Sequence, residues 1–143
     1  MTHRRALPRR ERVTVSTGAP WEAVFGYSRA VAVTGRGAHV VVAGTTATTN
    51  GVVQHRGDTY RQTLAAIDII AGALGQVGGG LEHVIRTRLF VAGREHLYAA
   101  GRAHGERFGS IRPASSIVVV SGFIDEAMLV EIEAEAFVPE GLR

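Results

Sequence analysis

A chain of 143 residues with 45% hydrophobic and 20% charged side chains is sized for one domain with its own core. It has no cysteine, which excludes disulfides, thiolate nucleophiles and Cys-ligated zinc. No apolar run reaches the length of a membrane span and no h-region follows the basic N-terminus, so a soluble cytoplasmic protein is expected.

The net charge of +3 is unevenly placed. Arg4, Arg5, Arg9, Arg10 and Arg12 face only Glu11 in the first twelve residues, leaving about −1 on the rest. Residues 1–12 are therefore expected to be a basic disordered tail and residues 13–143 a single domain. A nucleic-acid partner is not expected, because the domain itself is not basic.

Val13–Thr17 alternates and predicts a first strand, and Gly18–Gly26 reads as a loop holding Pro20 and Trp21. Ala30–Thr34 and His39–Gly44 are β-rich runs separated by a glycine-rich turn, which predicts a hairpin. Thr45–Gly57 is polar, with a short strand at Val52–Val53. Asp58 is a suitable N-cap for a helix whose apolar set is Tyr60, Leu64, Ile67, Ile70 and Leu74, ended by Gly78-Gly79-Gly80. Glu82–Val91 predicts a strand with Ile85, Thr87, Leu89 and Val91 on one face and Arg86, Arg88 and Phe90 on the other. A second helix is predicted over about Arg94–Phe108. A strand entered through "RPASS", a loop at Ser121–Met128 and a strand at Leu129–Val138 complete the chain. The order implies an α+β fold: one mixed sheet with two helices on one face. The other face would carry Arg86, Arg88, Phe90, Glu131, Glu133 and Ser115, half polar and half apolar, a surface suited to subunit association.

Three constellations can carry chemistry. Gly26-Tyr27-Ser28-Arg29 puts a phenol, a hydroxyl and a cation at a strand entrance, as a polar-ligand site or a loop anchor. Gly44-Thr45-Thr46 ends a buried strand, where free amides can hold an anion, although an ordinary strand exit is the simpler reading. Arg88 and Glu131 share the face away from the helices and can pair there, either as general acid–base machinery or as an ion pair between subunits. The six histidines have no metal-ligand spacing, and His104 reads as a satisfied, semi-buried side chain. Ser115 and Ser116 lack a nucleophile elbow. No metal and no cofactor is expected.

"GYSRAV" (Gly26–Val31), "VVVAGTT" (Val40–Thr46), "VIRTRLFV" (Val84–Val91), "RPASS" (Arg112–Ser116) and "VEIEAEA" (Val130–Ala136) occur in one order. This ordered set, spanning about residues 20–138, resembles the RidA/YjgF family of reactive-intermediate deaminases, also called endoribonuclease L-PSP-like. The resemblance implies a chorismate-mutase-like fold whose sheets pack into the central barrel of a homotrimer, with small-molecule clefts between subunits. It implies water attack on an enamine or imine such as 2-aminoacrylate, giving a keto acid and ammonia. Tyr27 would orient substrate, Gly44 would line the cleft and Glu131 would position the water. The arginine that binds substrate carboxylate in the family follows Pro-Ala, and here that position is Ser115. A hydroxyl cannot replace a bidentate guanidinium. Ser28, Thr45, Phe90 and Ser116 would complete the cleft, and Arg88, Arg29 or Arg112 would have to supply any cation.

The expected function is thus a RidA-like hydrolase or deaminase of a small imine or enamine, with the usual 2-aminoacrylate route disfavoured by Ser115. The alternative is a non-catalytic trimeric metabolite-binding protein. An endoribonuclease ranks last.

Overall fold

A computed structural model describes residues 9–141. The chain runs β1 (Glu11–Val15), α1 (Pro20–Phe25), β2 (Ala30–Thr34), β3 (Gly37–Thr45), β4 (Thr48–Thr49), β5 (Val52–Val53), α2 (Thr59–Gln76), β6 (Val84–Val91), α3 (Leu97–Phe108), β7 (Ala114–Val119) and β8 (Val130–Pro139). Short 3₁₀ turns at Leu81–His83 and Arg94–His96 lead into β6 and α3. Among the described residues no helix is long and apolar enough to cross a membrane.

The main sheet has the order β3-β8-β6-β7, with β6 and β7 parallel and the other pairs antiparallel. α2 and α3 lie against one face. The alternation of β8 is strict: Val130, Ile132, Ala134 and Ala136 are buried, and Glu131, Glu133 and Glu135 point to the other face. Ile67, Ile70 and Leu74 of α2, Phe108 of α3 and Leu89 and Val91 of β6 close the core. Burying a side chain of this size contributes about 1.5–3 kcal/mol, so this face sets which way every strand turns.

Several expectations need correcting. The first strand starts at Glu11, not Val13, so Arg12 is not tail; its guanidinium donates to the carbonyls of Val84 (2.8 Å) and Ile111 (3.1 Å). The part of the expected tail before Arg9 lies outside the described residues. The expected loop before Gly26 contains α1, with Pro20 in its first turn and Glu22 accepting from the Ala19 amide at 2.9 Å. β2 and β3 do not form a hairpin with each other. β2 pairs with β1, Gly35 turns the chain at φ +101°, and β3 goes to β8, where Val40 and Val42 join the core.

The α2 face is also rotated. Thr59, Gln62, Thr63 and Ala66 are buried, while Tyr60 and Leu64 are only half-buried. Gln62 is tolerated there because its side chain donates to Ala127 O and accepts from Leu129 N, which fixes the loop before β8. On β6 an irregularity between Val84 and Arg86 puts Val84, not Ile85, on the buried stripe with Thr87, Leu89 and Val91.

Other expectations hold. Asp58 caps α2 through the Arg61 amide. Val52–Val53 is a short strand, paired with Thr48–Thr49 across Asn50-Gly51, both at positive φ.

Candidate functional site

Tyr27 is placed by a helix contact. α1 lies across α3, whose Gly101, Gly105 and Gly109 present backbone to it. A Cβ at Gly105 would lie 2.2 Å from the Val24 carbonyl oxygen, so this approach requires glycine. Gly26 ends α1 in the left-handed region at φ +68° and turns the chain out along β7. The Ser28 amide then donates to Pro113 O and the Arg29 amide to Val15 O, joining this strand entrance to the edge of the sheet. Ser28 is buried and Arg29 is exposed.

Between α1, α3 and β7 lies a cavity of about 280 Å³. Trp21, Phe25 and Tyr27 form one wall. Leu97 and His104 of α3 form the second, and Ser115, Ser116 and Ile117 of β7 form the third. Trp21 stacks on Phe25 with ring centroids 4.9 Å apart and is itself about half exposed, at the mouth.

Ser115 is therefore not on the open face of the sheet, as alternation suggested. β7 runs parallel to β6 with Thr87 opposite Ser115, and both turn toward the helices. Their hydroxyls are 2.7 Å apart, and Thr87 Oγ1 lies 2.8 Å from Nε2 of the fully buried His104. The other ring nitrogen, Nδ1, meets the Phe25 carbonyl, which can only accept. Burial pushes the His104 imidazole down to about 4, partly opposed by that carbonyl, so near neutral pH it carries one proton, on Nδ1. The Thr87 hydroxyl donates to Ser115 Oγ and also lies within hydrogen-bond distance of His104 Nε2, so the three side chains form one buried polar cluster behind the cavity wall.

The remaining expected residues lie elsewhere. Glu131 points to the open face beside its register partner Phe90 and over Gly44; a Cβ at Gly44 would be 2.8 Å from the Glu131 carboxyl carbon. Thr45 donates its hydroxyl to Ala43 O. Arg88 pairs with Glu133 at 3.2 Å, not with Glu131, because the register sets Arg88 opposite Glu133. Arg112 donates from Nε to Gly109 O and holds the entrance to β7. Thus Tyr27, Ser115 and Ser116 share one cavity, while Gly44, Glu131, Phe90 and Arg88 share the opposite face of the sheet. The residues that sequence reading missed are Thr87 and His104. The signal was present, since Thr87 is a polar residue in an otherwise apolar buried stripe.

A mixed sheet with helices on one face, a carboxylate over a strand glycine on the other, and a tyrosine-walled edge cavity define the class of domain. The chain belongs to the YjgF/Rid family: the family model described as Endoribonuclease L-PSP matches residues 17–138. It is 46% identical over 123 residues to SCO2049 of Streptomyces coelicolor, covering 86% of this chain and 90% of that one. Rv2704 of Mycobacterium tuberculosis, a member of the YjgF/YER057c/UK114 family, is 42% identical with a TM-score of 0.63 over 90% of this chain and 100% of its own. The Rid-family protein YyfB of Yersinia pestis is 25% identical with a TM-score of 0.76, over 89% and 98% of the two chains.

Proposed function

We propose that this protein hydrolyses a small, uncharged imine or enamine in a cleft completed by a second copy of the chain. One observation carries the reading. Glu131 and the Tyr27–Ser115 cavity lie on different faces of one sheet, and the Glu131 face is not covered by the chain's own helices. Packing the sheets of three copies into a closed homotrimer would cover that face and bring the Glu131 of one copy to the cavity of the next. The family assignment supports the same arrangement.

In that cleft Glu131 takes a proton from water as the oxygen attacks the C=N carbon. Glu131 hands that proton to the imine nitrogen, giving a neutral carbinolamine, and then carries the hydroxyl proton to the nitrogen as the C–N bond breaks, releasing a carbonyl compound and ammonia. An enamine first takes up a proton at carbon and gives one up from nitrogen to become the imine. Tyr27 and Ser115 orient the polar end of the substrate, and Trp21 and Phe25 enclose its body. Among the described residues no guanidinium lines the cavity: Arg88 is paired with Glu133, Arg112 is held on Gly109 and Arg29 is exposed. Losing a charged hydrogen-bond partner typically removes about 1.5–3 kcal/mol, so small carboxylates should be poor substrates.

The test follows benzaldimine, formed in situ from benzylamine by an amine oxidase, beside 2-aminoacrylate released by a dehydratase. Benzaldehyde release should accelerate, and Glu131→Gln should lower the rate on the order of a hundredfold. Pyruvate release from 2-aminoacrylate should accelerate little. Robust pyruvate release that Glu131→Gln abolishes would overturn the substrate preference, and no effect on either imine would overturn the activity.

A further inference from the structure

One wall of the cavity is a set of aromatic rings that the fold holds still. Phe25 lies against bare backbone of α3, because a Cβ at Gly101 would come 2.7 Å from its ring. Tyr98 meets Phe25 in a T-shaped contact with centroids 5.9 Å apart. Trp21 stacks on Phe25 with the ring planes 17° apart. The three rings make a ledge, and Trp21 and Phe25 line the cavity beside Tyr27. Trp21 is still 53% exposed, so much of its ring surface is left uncovered. The cavity of about 280 Å³ holds roughly nine waters at about 30 Å³ each. A three-carbon imine would leave much of that space empty, whereas a six-membered ring with a short polar group comes closer to filling it. Among the described residues no carboxylate or guanidinium lines the space. Aromatic rings gain from stacked or edge-on pairing beyond the area they bury, and an aliphatic ring of the same size does not. Because the ledge is already packed, little side-chain freedom is lost when a ring settles on it.

We propose that the cavity selects substrates with an aromatic body, aryl imines or aryl-conjugated enamines, by stacking the ring against the Trp21–Phe25 ledge. This deepens the proposed function and rests on it for the reaction, while the binding does not depend on turnover. Trp21 and Phe25 touch the ligand ring, and Tyr98 is a positioning residue that holds Phe25 in place.

Benzyl alcohol and cyclohexylmethanol separate the possibilities, since they are neutral, carry the same polar group and have the same number of heavy atoms. Cyclohexylmethanol is the more hydrophobic, so a cavity that is merely apolar binds it at least as tightly. Titration calorimetry on the full chain should instead show benzyl alcohol binding about tenfold tighter, the size of one good aromatic pair. Trp21 is the chain's single tryptophan, so its fluorescence should change as benzyl alcohol binds. Trp21→Leu should bring the two affinities together, while Trp21→Phe keeps a ring and should retain most of the preference. Trp21 lies outside the core, so both variants should fold. Cyclohexylmethanol binding as tightly as benzyl alcohol, a preference that survives Trp21→Leu, a silent tryptophan signal or no binding of either probe would overturn the proposal. Aryl-selective binding without turnover of benzaldimine would leave it standing and remove the hydrolase reading. Turnover of cyclohexanecarbaldimine as fast as benzaldimine would keep the hydrolase reading and overturn the aryl selection.

Discussion

At the scale of single residues, the Ser115 hydroxyl in the cavity wall is tied through Thr87 to a histidine that burial keeps neutral. His104 makes the same tie visible in stability. Its folded value of about 4 lies below the ordinary imidazole value of 6.5, so the unfolded chain binds more protons between those limits. Stability contributed by the neutral imidazole is fully present above pH 6.5 and is lost as pH falls toward 4, an effect of roughly 3 kcal/mol. Urea unfolding from pH 7 down to 4.5 should show this slope, and His104→Gln should flatten it; a wild-type curve flat over that range would contradict the buried, neutral histidine. Glu22, held down to about 2 chiefly by the Thr17 hydroxyl, acts in a separate window, its contribution fading only as pH falls below the usual carboxylate range. The two titrations can therefore be told apart.

At the scale of elements, the site depends on how closely α1 approaches α3. Gly105→Ala gains up to about 1 kcal/mol of helix propensity. It also drives a methyl into the Val24 carbonyl at 2.2 Å, backbone that cannot swing away. Overpacking of this kind costs about 1–3 kcal/mol, so the net change should be destabilising. A lowered Tm is the expected result; an unchanged or raised Tm would show that α1 is not held this way. The same elements show what could be read from sequence. β8 was legible because three glutamates alternate with apolar residues over a buried face. α2 was legible in extent, yet its buried face was rotated, because Gln62 and Thr63 count as polar until the loop partners of Gln62 at Ala127 and Leu129 and the Thr59 carbonyl that takes the Thr63 hydroxyl are known. α1 is too short for periodicity to detect. The pairing of β2 with β1 depends on a turn at Gly35 whose direction the sequence leaves open. Ser115 was assigned to the wrong face because alternation within one strand gives no register to its neighbour; Thr87 opposite Ser115 decides it.

At the scale of the whole molecule, the account requires two copies to make one site. The Glu131 face and the Ser115 cavity cannot serve one substrate within a single chain, whereas neighbouring copies in a closed ring can supply one each. The direct measurement is complementation. Glu131→Gln and Tyr27→Ala chains, each inactive on benzaldimine alone, are unfolded together in equal amounts and refolded as mixed oligomers. If Glu131 and Tyr27 come from different copies, random mixing regenerates about one intact site in four, and about a quarter of wild-type activity should return. If both come from the same chain, every site carries one lesion and the mixture stays inactive, which would contradict the shared cleft.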